Sequence, residues 1–196
     1  MNLPNSLTLS RIPLLFLIVA LLAATWTGAA TLGLILFIIA GITDWLDGLI
    51  ARRQGLVSNF GKLMDALSDK ILMIGLFMAM VALDHLPFYA IYFVFLILSR
   101  EFLISGMRMM AAAQGVVLGA EKAGKQKTVT QIVAAAILLS VPVVERDMAH
   151  FLGTDLLWWA GILSWAGFIA FLLATLITVT SGLRYYFKYR SVLREK

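Results

Sequence analysis

The chain has 196 residues, 61% of them hydrophobic and 14% charged, with a mean hydropathy of +0.93, so its length bounds it to one compact unit (1–196) and its repeated apolar runs make it an integral membrane protein. Sixteen Lys and Arg against eleven Asp and Glu leave +5; that excess reads as attraction to anionic lipid headgroups and argues against nucleic acid as a partner. The absence of cysteine excludes disulfides and thiolate metal sites.

Taken in chain order, Asn2 to Ser10, with Pro4 and apolar Leu3, Leu7 and Leu9, reads as a short segment lying at the membrane interface. Six apolar runs follow: Ile12 to Trp26, Ala30 to Ala51, Leu63 to Leu83, Pro87 to Ala113, Gln126 to Val144 and Leu156 to Thr180. They predict an all-α protein with six transmembrane helices. The first is expected to stay as a span rather than leave as a signal peptide, because five more follow. Several runs fall short of the roughly 20 apolar residues that cross a bilayer, so their polar ends belong near the surface or inside the bundle. Loops are expected over Arg53 to Phe60, Gly115 to Gly124 and Glu145 to Asp155, with His85 and His150 solvated in the outer ones.

The loops after the first, third and fifth runs hold Arg146 alone among Lys and Arg. The remaining loops and the tail carry Arg52, Arg53, Lys62, Lys122, Lys125, Lys127, Arg184, Lys188, Arg190, Arg194 and Lys196. By the positive-inside rule both termini face the cytoplasm, and Trp158, Trp159 and Tyr89 suit an aromatic belt.

Against this apolar background stand Asp44, Asp47, Gly48, Ala51 and Arg52, then Gly61, Asp65 and Asp69: DxxDGxxAR, eight residues, GxxxDxxxD. A charge at the centre of a membrane helix costs about 2.5 to 3.5 kcal/mol, so four unpartnered carboxylates would cost roughly 10 kcal/mol or more. Positions 44, 47, 48 and 51 share one helix face, and 65 and 69 share another. Two facing helices would bring the four acids together, with Gly48 and Ala51 leaving room for a ligand. Oxygen-only ligation points to hard divalent ions, magnesium or manganese, and a pair of them would clamp a diphosphate. On the plainer reading, the acids are a structural cluster paired with Arg52, Lys62 or Lys70. The same acids are also what a divalent-cation transporter would need.

This pattern resembles, without a gap, the signature of the CDP-alcohol phosphotransferases. Further similarity lies in Asn5-Ser6-Leu7-Thr8 with Arg11, the 65–70 segment DALSDK, Arg100-Glu101-Phe102, Gly106-Met107-Arg108 and Gly124-Lys125-Gln126-Lys127-Thr128; it runs from Asn2 to about Tyr185. Ala66 departs from it, where proline is frequent. The resemblance implies transfer of a phosphatidyl group from CDP-diacylglycerol to glycerol 3-phosphate with release of CMP, in a homodimer of a bacterial cell membrane whose active site faces the cytoplasm. Inositol phosphate, serine or phosphatidylglycerol remain open as acceptors. It further implies Asp44, Asp47, Asp65 and Asp69 as ligands of two Mg2+ or Mn2+ ions and Asp69 as the base. Asp47, Gly48, Ala51, Arg52 and Gly61 would contact the CDP group, and Thr8, Arg11, Arg100, Arg108, Lys125, Lys127 and Tyr185 the acceptor.

Overall fold

The computed structural model describes the backbone of residues 3–54, 59–116, 118–119 and 122–190, and the side chains of 10–43, 67–116, 118–119, 124 and 126–190. Its elements are α1 (Leu3–Ala23), α2 (Ala29–Gln54), α3 (Asn59–Ala82), α4 (Ala90–Ala113), α5 (Lys122–Pro142), a π-helical stretch (Val143–Met148), the short α6 (Ala149–Leu152) and α7 (Leu157–Tyr189). No strand occurs among the described residues. Three helical stretches, Ala90–Ala113, Gln126–Leu152 and Leu157–Tyr189, are long and apolar enough to cross a membrane, and Ser10–Ala23 and Ala29–Thr43 are shorter apolar helices. The chain is therefore an all-helical membrane protein. A helix is the natural solution there, since it satisfies each backbone N–H and C=O within the segment.

Two of the expected boundaries change. The segment expected to lie separately at the interface is continuous with α1, which begins at Leu3 and runs through Pro13. Pro4 falls in the first turn of that helix, where the missing N–H breaks no intrahelical bond. The loop expected over Glu145 to Asp155 is mostly helical, because α5 passes directly into the π-helical stretch and α6 before Gly153, at φ 61°, ends the run.

Contacts between helices define which ends lie together. Arg11 of α1 reaches Ser68 of α3, Lys70 of α3 reaches Ser105 of α4, and Lys127 of α5 reaches Glu101 of α4. Arg100 and Arg108 of α4 reach Ser181 and Tyr185 of α7. The N-terminal halves of α1, α3 and α5 thus share one end of the bundle with the C-terminal halves of α4 and α7, as expected of helices that alternate in direction. These polar contacts all lie at that end.

At the opposite end, Asp147 is only 2% exposed and accepts three hydrogen bonds: from Gly28 N–H at 2.9 Å, Thr31 N–H at 2.8 Å and the Thr31 hydroxyl at 2.6 Å. It thereby caps the start of α2. Its neighbour Arg146 donates to the carbonyls of Ala24 at 2.9 Å and Leu22 at 3.3 Å, where α1 ends. A π turn carries one extra residue per turn, and here two consecutive side chains serve two helix termini. His85, expected in solvent, is instead half-buried in the turn between α3 and α4. Its imidazole is held below the usual histidine pKa by burial and then by the positive charge of Arg146.

The middle of the bundle is apolar. Phe171 of α7 is fully buried and meets Phe77 of α3, ring centroids 5.0 Å apart, and Phe93 of α4 at 6.3 Å. α5 lies along α7, and at Gly167 they come so close that a Cβ would stand 2.8 Å from Leu138 Cδ2. In hydrocarbon, such close packing replaces the hydrophobic drive that water would supply. Phe16, Phe102 and Trp165 lie outward, as lipid-facing side chains do.

Candidate active site

The DxxDGxxAR half of the acidic pattern lies on the C-terminal part of α2, and Gly61, Asp65 and Asp69 lie on the N-terminal part of α3. The side chains of Asp44, Asp47, Ala51, Arg52, Asp65, Thr8 and Lys125 fall outside the described residues, as do the surroundings of Gly48 and Gly61. What is described is the ground beneath them. A cleft is lined by Arg11 of α1, Phe37, Ala40 and Gly41 of α2, Asp69, Leu72 and Met73 of α3, and Ile132 of α5. Helical register carries that lining onward: 37, 41 and 44 follow at i, i+4 and i+7 on α2, and 73, 69 and 65 at steps of four on α3. By register alone, positions 44 and 65 continue the two helical rows that line the cleft. Arg11 is 6% exposed and donates to Ser68 Oγ at 3.4 Å, on the turn of α3 that carries Asp69. A donor set made of carboxylates, without histidine or sulfur, is of the kind that suits hard divalent cations.

The residue after Asp69 leads to a second, basic group. Lys70 hydrogen-bonds the Ser105 hydroxyl, which in turn donates to the Glu101 carbonyl at 2.8 Å. Glu101, 5% exposed, accepts through one carboxylate oxygen from Arg100 Nη1 at 3.2 Å and from Lys127 Nζ of α5. Arg100 Nη2 donates to Ser181 Oγ at 3.3 Å. Arg108 donates from Nε to the Tyr185 hydroxyl at 3.3 Å, with its guanidinium carbon 5.4 Å from that ring's centroid. Below them Gln131 donates to Thr178 at 2.9 Å, closing the polar layer against the apolar core. Arg100 and Lys127 meet at the buried Glu101 carboxylate, Lys70 joins them through Ser105 and Arg108 stands with Tyr185, so four cations from three helices share one layer, which suits an anion.

Of the expected acceptor residues, the structure gathers Arg100, Arg108, Lys127 and Tyr185 into this layer, while Arg11 lines the cleft beside Asp69. Lys70, Glu101 and Ser181 complete the layer without having been named as site residues. A signal for part of it is present in the sequence: Thr175, Thr178, Ser181 and Tyr185 recur at helical spacing in the otherwise apolar last run, and all are buried.

The family model described as CDP-alcohol phosphatidyltransferase matches residues 1–180. The chain belongs to the CDP-alcohol phosphatidyltransferase family. Among its relatives, a Bacillus subtilis (strain 168) protein named CDP-diacylglycerol--glycerol-3-phosphate 3-phosphatidyltransferase is 37% identical over 95% of this chain and 94% of its own length. Proteins of the same name from Rickettsia bellii (strain RML369-C), 34% identical over 94% and 93%, and Rickettsia typhi, 39% identical over 70% and 76%, are also similar. As a family member the chain is a membrane-embedded transferase, and membership favours the transferase over the transporter as the use of its acids.

Proposed function

We propose that this phosphatidyltransferase moves the phosphatidyl group of CDP-diacylglycerol to a hydroxyl of glycerol 3-phosphate, releasing CMP and forming phosphatidylglycerophosphate. The observation that carries the choice of acceptor is the layer of Lys70, Arg100, Arg108 and Lys127, adjoining Asp69 along α3. A dianionic phosphate suits such a layer; an uncharged alcohol would leave its excess charge unused. The names of the relatives support the same reading.

In this reading the donor's diphosphate lies between the acidic faces of α2 and α3. Asp44, Asp47, Asp65 and Asp69 would hold two divalent cations, Mg2+ or Mn2+, which when bound neutralise the diphosphate and the departing CMP. Gly48, Ala51 and Gly61 admit the nucleotide, Asp47 lies beside it, and the Arg52 guanidinium forks onto phosphate oxygens. Arg100, Arg108, Lys125 and Lys127 hold the acceptor's phosphate, with Tyr185 fixing the plane of Arg108 and with Thr8 and the cleft-lining Arg11 as further acceptor contacts. The acceptor oxygen attacks the phosphatidyl phosphorus as its proton passes to Asp69, and the bond from that phosphorus to the CMP oxygen breaks. The diacyl tails stay in lipid beside the helices.

The same proposal includes six membrane spans, the motif end of the bundle facing the cytoplasm of a bacterial cell, and a homodimer. The orientation is supported by the loop charge asymmetry and the gathering of polar helix halves at one end, and the dimer rests on the family resemblance. Purified protein given CDP-diacylglycerol, Mg2+ or Mn2+ and a panel of alcohols, with CMP release as readout, tests the reaction. Preference for serine or another unphosphorylated alcohol would overturn the acceptor, and the mass of the detergent-solubilised protein tests the dimer.

A further inference from the structure

We infer that Gly182 is a positioning residue for the acceptor: it is the seat on which the Arg100 guanidinium is built, an inference that rests on the acceptor reading above. Gly182 lies on α7 next to Ser181, facing α4. A Cβ at this position would stand 2.5 Å from Arg100 Cγ, 3.2 Å from its Nε and 3.4 Å from its Cδ. Cγ belongs to the root of the side chain, so it cannot yield by a small swing of a flexible tip. It moves only if the first torsions of Arg100 change, and those torsions aim the guanidinium.

The head of Arg100 is tied at two corners, Nη1 to Glu101 and Nη2 to Ser181. The third nitrogen, Nε, is buried and its N–H has no hydrogen-bond acceptor among the described residues. A buried, unsatisfied guanidinium N–H is costly, and an incoming phosphate oxygen is a group able to satisfy it. Stem on glycine, two nitrogens tied and the third without an acceptor together describe an arginine held ready for an anion.

The plain alternative is that Gly182 only lets α4 and α7 approach. The two readings differ in what Gly182→Ala does. Alanine is the better helix former, so the substitution leaves α7 intact and adds one methyl under Arg100. With the full chain in lipid–detergent micelles and CDP-diacylglycerol saturating, CMP release is measured against glycerol 3-phosphate for wild type, Gly182→Ala, Arg100→Ala and the double variant. Gly182→Ala is expected to raise KM for glycerol 3-phosphate at least about tenfold, with KM for CDP-diacylglycerol within about twofold of wild type. The double variant is expected to match Arg100→Ala alone, because the methyl has nothing left to displace.

A normal KM in Gly182→Ala beside a raised one in Arg100→Ala overturns the inference and leaves the acceptor reading standing. Multiplying effects in the double variant also overturn it, since Gly182 would then act through something other than Arg100. A normal KM in Arg100→Ala instead sinks the acceptor reading itself. If Gly182→Ala fails to fold, Ser181→Ala decides: loss of one tie predicts a rise of about threefold in the same KM, and no change overturns the inference.

Discussion

Replacing Asp147 by alanine is expected to lower the melting temperature while leaving the chemistry alone. The carboxylate accepts two backbone N–H groups and one hydroxyl at the start of α2, all between 2.6 and 2.9 Å. Loss of a helix cap costs about 0.5 to 2 kcal/mol, and each buried donor left unsatisfied about 1 to 3 kcal/mol. The Thr31 hydroxyl can rotate to another acceptor; the two N–H groups cannot. Alanine is therefore expected to cost about 3 to 5 kcal/mol, which at about 2 to 4 °C per kcal/mol lowers Tm by about 6 to 20 °C. Asparagine keeps one oxygen and is expected to lose less than half as much. The assay is thermal unfolding in micelles, with Asp155→Ala as control, because that carboxylate caps an exposed N–H and its loss is expected to matter little. Activity measured well below Tm should stay near wild type, since Asp44 lies about 20 Å along α2 from Thr31 at 1.5 Å per residue. An Asp147→Ala protein melting within 2 °C of wild type, or one melting normally but inactive, refutes this account of the clamp.

Asp→Asn at 44, 47, 65 or 69 is expected to abolish CMP release without lowering Tm; wild-type turnover at any two of them would rule out the two-cation scheme. If Asp69 is the base and not an essential ligand, donor binding measured directly persists in Asp69→Asn while turnover stops. Arg108→Ala is expected to raise KM for glycerol 3-phosphate at least about tenfold, roughly 1.4 kcal/mol, while Arg52→Ala weakens the donor instead; a normal acceptor KM in Arg108→Ala would contradict the assigned layer. Single cysteines at Gln114 and Thr154 in this cysteine-free chain should react from opposite sides of the membrane, Gln114→Cys from the cytoplasm, and labelling from one side only would break the proposed topology. His85 has its pKa lowered by folding, so the stability it contributes is complete above its unfolded value of about 6.5 and is lost as pH falls toward the folded value. Wild type should accordingly lose more Tm than His85→Gln between neutral and mildly acid pH; parallel curves would show that the imidazole titrates freely.

The sequence revealed the helices because bilayer helices must be apolar along their length, and it revealed the acids because carboxylates in such a background need a reason. The basic layer was only partly legible. Arg100, Arg108 and Lys127 came from a resemblance, and nothing in their spacing announces that Arg100 and Lys127 meet at Glu101 or that Arg108 meets Tyr185. The clamp was not legible at all: Asp147 binds backbone N–H groups 116 and 119 positions away, and a backbone donor has no side chain to advertise it. That the segment before Ser10 is helical and continuous with α1 was not legible either, although a first-turn proline suits a helix start.

At 33 residues, α7 is about 50 Å long, against a hydrocarbon layer of about 30 Å. Trp158 and Trp159 near its start and Arg184 near its end are the side chains that anchor a helix at the two interfaces. Seen from the lipid, α7 is a gauge of bilayer thickness: in thinner membranes it must lean, in thicker ones stand upright, each adjustment costing a fraction of a kcal/mol per ångström of mismatch. Ser181, Gly182 and Tyr185 ride on the same rigid rod. Any lean of α7 therefore moves Ser181, Gly182 and Tyr185 together, as one body, against the arginines of α4.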